Sequence, residues 1–511
     1  MRSITHCHSH YRATTIDSSR FPFQRSRGAA MRRRTFIAAT ATVTLLPTAV
    51  ACQHSRPNTS ATPAPTPPPT PDAIPTAFTD TPTWPTINAR TTITAVHDHY
   101  LCAEAEIKEA LTLFTNGRCP VVVDVSNLTT YAVLLDQKGA WITRKVEMVA
   151  RDNTDDDPKV ALTTIFVGPA LLDSEYAYLT LGALTLSSPS AQDTINNSYS
   201  DSTACPIVIL KIRLSDGSIQ NSQTVSEHYQ VNSMSDLKLS FTNDQASIIL
   251  TGDSSATYNS TNSAADYIAL RLSTEDLSIQ FDAHSILDKQ NISVVIPCGQ
   301  ALTFPLPLET NNAIIFLTNN KYERTDDIQP IIVRDDWYYY KNSSESLVGT
   351  ARHVISGQEI SLEGDWENEV KGWPRIFSGQ QTNITWQDQH DSPAIAVRTP
   401  GTASAALRWD GTNHEVPNGA CTFGDVLYSF YGANASRSTS SRGFDITSIS
   451  SGKTIFDARQ GTVYSGDNGA ITPWGLVVTD YFYSATSWLE DASSAPTSTA
   501  PSNPSSPTPT S

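Results

Sequence analysis

A chain of 511 residues is long enough for two or three ordinary domains or for one large β-architecture. Hydrophobic residues make up 39% and charged residues only 17%, so the polar surface must come mainly from Ser, Thr, Asn and Gln, as suits an exported β-protein. The stretch before Cys52 holds eight Arg, no Lys and a single acid, Asp17, a net of +7, which leaves −23 for the rest of a chain whose total is −16. Such a body repels phosphate backbones and anionic headgroups, which argues against nucleic-acid binding and against membrane adhesion through basic patches.

Residues 1–51 read as a leader and signal peptide. The first thirty show no hydrophobic periodicity; Met31 then opens a new pattern of Arg32, Arg33 and Arg34 followed by an apolar stretch from Phe36 to Ala51. A stretch of sixteen residues behind a positive flank is short for a stable span and suits a cleaved signal. Met31 is then the start of translation, or else residues 1–30 are a leader that is cleaved away. Arg33-Arg34-Thr35-Phe36-Ile37 resembles the twin-arginine motif, and Thr40, Thr42, Thr44 and Thr48 dilute the apolar region as in signals of that class. The resemblance implies export of an already folded chain.

Ala49-Val50-Ala51 is a small-x-small cleavage site, and with Cys52 directly after it the four residues also resemble the bacterial lipobox, with Ala49 where Leu is usual. Cleavage before a lipidated Cys52 implies an anchor on the outer face of the plasma membrane; cleavage by ordinary signal peptidase implies free secretion. Residues 52–86 are rich in Pro and Thr, with Pro63, Pro65, Pro67, Pro68, Pro69 and Pro71, and are expected to form an extended tether. Residues 491–511 are a second Ser/Pro/Thr segment, expected to be a disordered tail.

Residues 87–490 are expected to fold as one strand-rich domain. Short apolar runs bounded by Asn, Asp, Gly, Ser and Pro mark strands at 121–125, 131–135, 160–167, 207–214, 248–251, 268–272, 292–296, 314–317, 331–333, 426–431 and 476–483. Leu101, Ile107, Leu111 and Phe114 fall at helical spacing in an Ala/Glu-rich stretch and mark one candidate helix.

Three segments share a form. Residues 207–219 run into Ser215-Asp216-Gly217 and resume near Ile219; residues 267–281 do so through Glu275-Asp276; residues 444–456 do so through Ser450-Ser451-Gly452-Lys453. From Leu214 to Leu272 is 58 residues and from Leu272 to Ile449 is 177, which suggests a period near 59. Ser451-Gly452-Lys453-Thr454-Ile455-Phe456-Asp457 resembles the outer hairpin of PQQ-like and YVTN-like β-propeller repeats, with Phe456 where Trp is usual. Residues 241–251, turning at Asn243-Asp244-Gln245, resemble the inner hairpin of the same blade. The resemblance implies an all-β propeller of six to seven blades, the last closed by strands from both ends of the chain. One or two β-sandwiches, or a propeller joined to an unrelated N-terminal module, are the alternatives.

No catalytic or cofactor constellation stands out. The body holds Cys102, Cys119, Cys205, Cys298 and Cys421 besides Cys52; the number is odd, and Cys102 with Cys119 is the candidate local disulfide. The adjacent cysteine pair of quinoprotein alcohol dehydrogenases is missing. On a strand, His97-Asp98-His99 would put two histidines on one face, but no third metal ligand can be named, and the run Asp152, Asp155, Asp156, Asp157 lacks the Gly and Glu of an EF-hand. Asp335-Asp336-Trp337-Tyr338-Tyr339-Tyr340 and Asp365-Trp366-Glu367-Asn368-Glu369 combine carboxylates with aromatics, as glycan sites do; ordinary packing is the plainer reading.

The sequence thus leads one to expect an envelope lipoprotein without metal or cofactor, acting as a non-enzymatic binding or scaffolding propeller whose partner is an envelope protein or a glycan. The alternative is a propeller hydrolase or lyase acting on extracellular or cell-wall glycans.

Overall fold

The computed structural model describes residues 70, 72–108, 118–150, 163–185, 204–230, 234, 237–242, 244–253, 267–282, 296–298, 301–304, 313–315, 330–334, 337–341, 349–353, 356–363, 383–387, 394–410, 419–431, 443–457, 469–478 and 480–489. Every regular element among them is a strand, and all the strands pair antiparallel in eight sheets.

β1 (Pro75–Phe78) opens the fold. Sheet I is the meander β2 (Thr91–His97), β3 (Tyr100–Glu106), β4 (Arg118–Asp124), β5 (Thr129–Leu135) and β6 (Trp141–Lys145). Sheet II is β7 (Thr163–Leu172), β8 (Tyr176–Thr185), β9 (Ala204–Arg213) and β10 (Ile219–Gln230); sheet III is β11 (Lys238–Phe241), β12 (Ser247–Asp253), β13 (Tyr267–Ser273) and β14 (Ile279–Asp282). Sheet IV holds β15 (Ile296–Cys298), β16 (Ala301–Phe304) and β17 (Ala313–Ile315), and sheet V holds β18 (Pro330–Arg334), β19 (Trp337–Lys341), β20 (Gly349–His353) and β21 (Glu359–Ser361). Sheet VI is β22 (Asn383–Gln387), β23 (Ala394–Arg398) and β24 (Leu407–Asp410); sheet VII is β25 (Gly419–Phe423), β26 (Val426–Tyr431), β27 (Gly443–Ser448) and β28 (Thr454–Asp457). Sheet VIII takes β29 (Gly469–Thr472), β30 (Gly475–Val478) and β31 (Tyr481–Trp488) from the carboxyl side and β1 from the amino side, in the order β1-β31-β30-β29.

Successive sheets lie face to face in a ring. β29 lies against β2, β2 against β7, β7 against β11, β11 against β15, β15 against β18, β22 against β25, and β25 against β29. Sheets V and VI meet through Glu363, whose backbone N–H donates to Ala403 O at 2.9 Å. The fold is therefore a β-propeller, closed by strands from both ends of the chain.

Packing on both faces explains why the strands read as apolar runs. In β3, Leu101, Ala103 and Ala105 join the core shared with Ala470, Val477 and Phe482 of sheet VIII, while Cys102 joins the core shared with Leu179, Leu181 and Leu210 of sheet II. Residues 119–123 and 207–212 are buried at every position, because neither face of a middle strand meets water. The candidate helix at 101–114 fails for the same reason: its first residues form β3, and Ile107 bridges to Met148, while Leu111 and Phe114 lie outside the described residues. The run 476–483 is likewise two strands, β30 and β31.

The three turns read from sequence share one geometry, and sheet V supplies a fourth. The N–H of Gly217 donates to Arg213 O (2.9 Å), Leu277 to Ser273 O (3.0 Å), Gly357 to His353 O (2.9 Å) and Gly452 to Ser448 O (2.9 Å). Those four donors have φ of +70°, +60°, +70° and +64°. The period of 59 does not hold. The 177 residues from Leu272 to Ile449 contain four steps, from sheet III to sheet VII, so eight sheets occupy the space expected for six or seven. The unequal loops between middle strands hide the true step. The fold also begins inside residues 52–86, expected to be tether: β1 pairs with β31, and Trp84 is 2% exposed in the core between sheets VIII and I.

Candidate functional site

An antiparallel meander puts the first-to-second and third-to-fourth strand turns at the same end of each sheet. That end is lined by aspartates. Asp124 Oδ1 accepts from Ser126 N (2.9 Å) and Asp173 Oδ1 from Glu175 N (2.8 Å) and Tyr176 N (2.6 Å). Asp216 Oδ1 accepts from Ser218 N (2.9 Å), Asp244 Oδ1 from Ala246 N (3.0 Å), Asp276 Oδ1 from Ser278 N (3.0 Å) and Asp425 Oδ1 from Ser450 N (3.2 Å). Asp favours these places because its short carboxylate satisfies turn N–H groups that no strand neighbour reaches. Hydroxyls deepen the effect: Ser218, Thr242 and Ser278, each with a backbone N–H behind it, hold Asp216, Asp244 and Asp276 below the usual carboxylate range. Groups so held stay ionised and serve as fixed negative charges, not as proton donors.

His97-Asp98-His99 lies at this end as the turn between β2 and β3, not on one strand face. Asp98 takes φ +48°, and its carbonyl accepts from Thr472 Oγ1 at 2.8 Å. The His99 ring sits 4.2 Å from Tyr100 and 4.7 Å from Trp474. The group clasps sheet VIII onto sheet I, and among the described residues no three His, Cys, Asp or Glu side chains gather to hold a metal.

Trp337, the one side chain of the Asp335–Tyr340 segment that is described, lies between sheets. Its ring is 5.1 Å from His353, and a Cβ on Gly401 would come within 2.9 Å of it, so sheet VI's turn packs on sheet V. Nearby, Arg398 is 1% exposed and donates to Ala403 O (2.8 Å) and Glu363 O. The acidic run 152–157, the segment 365–369, and Asp335 and Asp336 lie outside the described residues. So do Arg33, Arg34, Phe36, Ala49, Ala51 and Cys52.

The expected disulfide does not form. Cys102 stands opposite Val122 and Cys119 opposite Ala105, and they project from opposite faces of sheet I, one into each neighbouring core. Strand pairing three residues apart reverses the face, which no local rotation can undo. Burial raises the Cys102 and Cys421 thiols well above their ordinary value and pushes Cys205 up to about 11.

A charged seam at the opposite end of β2 was not anticipated from sequence. Arg118 Nη2 lies 3.0 Å from Glu104 Oε2 and donates to Thr92 Oγ1 at 2.8 Å. Burial raises Glu104 and Asp480, while Arg118 opposes both shifts and the Ile93 N–H opposes that of Asp480. The available signal was a charged residue inside an otherwise apolar strand, Glu104 among Leu101, Cys102, Ala103 and Ala105.

No family model matches the chain, and no curated relative does. Among solved structures it is similar to a puromycin hydrolase (8% identity, TM-score 0.29), with 71% of this chain covering 64% of that one. It is also similar to the β-propeller domain of the Trilobed protease from Pyrococcus furiosus (9%, TM-score 0.30, 70% of this chain and 93% of that one). An oligogalacturonate lyase from Vibrio parahaemolyticus is comparable (9%, TM-score 0.30, 78% and 96%). The chain spans under two thirds of the hydrolase, and at these values the fold rests on the strand pairing described above.

Proposed function

We propose that this chain is an exported cell-envelope lipoprotein, anchored through Cys52, whose β-propeller acts as a non-enzymatic binding or scaffolding module. The address is supported by Arg33, Arg34 and Phe36 ahead of a weakly apolar stretch, and by Ala49 and Ala51 directly before Cys52. The non-enzymatic reading is supported by one observation above others: the described aspartates of the turn end are each engaged with backbone N–H groups of turns. Trp337, the described aromatic of the most glycan-like segment, supports it too, since it packs between sheets.

A glycan hydrolase or lyase is the second reading, and the observation that favours it is the seam of Glu104 and Asp480, two carboxyls raised by burial around Arg118. Intact mass of the membrane-extracted protein, with and without Cys52→Ala, tests the address. A lipid mass on Cys52 that vanishes in the variant is expected; an unmodified chain in the medium overturns it. Incubation with cell-wall glycan separates the two activities: new reducing or unsaturated ends that depend on Glu104 would replace the binding reading with the enzymatic one.

A further inference from the structure

We propose that β1 is an exchangeable strand and that the edge of β31 accepts β1 of a second copy of this chain. Among the described sheets, VIII is the one whose strand neighbours are not consecutive in sequence: β1 reaches β31 from the other end of the chain. Elsewhere a strand cannot leave without opening its own hairpin. β1 can leave by itself.

The edge it covers is an open invitation to pairing. β31 reads Tyr-Phe-Tyr-Ser-Ala-Thr-Ser-Trp, with no charge and no Pro in eight residues. Strand edges are normally blunted by charge, Pro or bulges, and an uncharged aromatic edge pairs with any extended segment offered to it. Here β1 is the cover.

Its hold is short. Three residue pairs join it to β31, with the register broken on both sides of Ala77, and one backbone hydrogen bond extends the pairing at each end, Leu489 N to Ile74 O and Thr79 N to Ser484 O, both at 2.9 Å. Thr76 Oγ1 lies 2.9 Å from Ser487 Oγ, Tyr428 Oη donates to Pro75 O at 2.8 Å, and the Phe78 ring sits 5.5 Å from Phe444. Each of these contacts is reproduced when the strand comes from a second copy, so exchange gives up little beyond contacts that span the hinge, such as Thr79 Oγ1 to Thr83 Oγ1 at 3.5 Å. The hinge is defined by what stays behind. Trp84 exchanges backbone hydrogen bonds with Phe482 in both directions and is almost wholly buried, and Thr83 N donates to Phe482 O while its Oγ1 accepts from Ser484 N, so the arm pivots between Thr79 and Thr83, at Asp80-Thr81-Pro82. Two arms that swing out reciprocally close a two-fold dimer.

The test uses full-length chain carrying Cys52→Ala, so that no acyl group can hold copies together, with Thr76→Cys and Ser487→Cys added as a staple. The two hydroxyls already meet across the strand pair, so the cysteines are placed to bridge within one copy. Two batches carry donor and acceptor dyes on surface amines. Mixed in the reduced state, they are expected to develop energy transfer and a species of twice the monomer mass; oxidised as isolated monomer before mixing, to show neither; re-reduced, to gain both. Phe78→Ala without the staple is expected to speed exchange. Absence of transfer in the reduced chains, equal transfer in the oxidised ones, or an exchange rate indifferent to Phe78→Ala overturns the proposal.

Discussion

The Lys211 ammonium in β9 lies 2.7 Å from the carbonyl oxygen of Thr274, in the outer turn of the next sheet. A second carbonyl, Glu275 O, accepts at 3.0 Å, and the Tyr176 ring lies 4.0 Å beneath the charge. The residue is 7% exposed, so sheets II and III are joined by a cation shielded from water. Lys211→Met keeps the stem and removes the charged donor, leaving Thr274 O with only the long bond from Tyr178 Oη (3.4 Å) and Glu275 O with Asn221 Nδ2 (3.2 Å), so the loss is that of charge-assisted hydrogen bonds, roughly 1–3 kcal/mol in all. A drop of about 2 kcal/mol is expected in denaturant titration followed by Trp fluorescence. An unchanged midpoint would mean that the seam does not depend on the ammonium.

Two glycines with the same backbone conformation should answer differently to one substitution. A Cβ on Gly217 would lie 2.5 Å from the Tyr131 ring, whereas one on Gly452 meets only Leu407 Cδ1, at 3.6 Å. Gly452→Ala therefore carries the left-handed backbone cost alone, about 1 kcal/mol, while Gly217→Ala adds displacement of an aromatic ring and should cost about 2–3 kcal/mol. Equal losses would show that Tyr131 moves aside freely.

The turns explain both what was legible and what was not. Asp216-Gly217 and Ser451-Gly452 announce themselves, because positive φ selects Gly and an N–H-capping site selects Asp or Ser. The turn of sheet V carries the same signature, Ser356-Gly357 with Ser356 Oγ accepting from Gln358 N at 3.3 Å, and was equally legible although it is not one of the three turns read from sequence. Blade number was illegible because loops between middle strands differ in length, so a count by period merged four steps into three. Cys102 and Cys119 looked like a pair because sequence spacing carries no information on sheet face. Glu104, Arg118 and Asp480 could not be grouped at all, since the last comes from a sheet nearly the whole chain away.

Leu277 occupies with a side chain the place that Gly217, Gly357 and Gly452 fill without one. Its φ of +60° costs about 1–2 kcal/mol for an L-residue, yet it is wholly buried in the core of sheets II and III. Loss of a buried Leu side chain costs about 2–5 kcal/mol, so burial outweighs strain. Leu277→Gly should thus destabilise by about 1–3 kcal/mol even though it restores the residue preferred by the turn. A stabilised variant in the same denaturant assay would reverse that ranking.

Falling and rising pH should act on the fold through different carboxyls. Asp244 is held below its ordinary 3.8, first by the Thr242 hydroxyl and then by the Ala246 N–H. Its contribution is therefore complete above pH 3.8 and is lost as pH falls through the lowered folded value. Thr242→Val should move the Asp244 carboxyl up toward 3.8, read by carbon-detected NMR titration. Glu104 runs the opposite way: burial raises it above its ordinary 4.5, so its contribution is present below 4.5 and lost as pH rises through the folded value. Glu104→Gln should shrink that decline to the part that Asp480, raised by the same cause, still contributes, while leaving the acid limb in place. If the decline is undiminished, burial of Glu104 is not a source of it, and the seam with Arg118 is less shielded from water than its geometry implies.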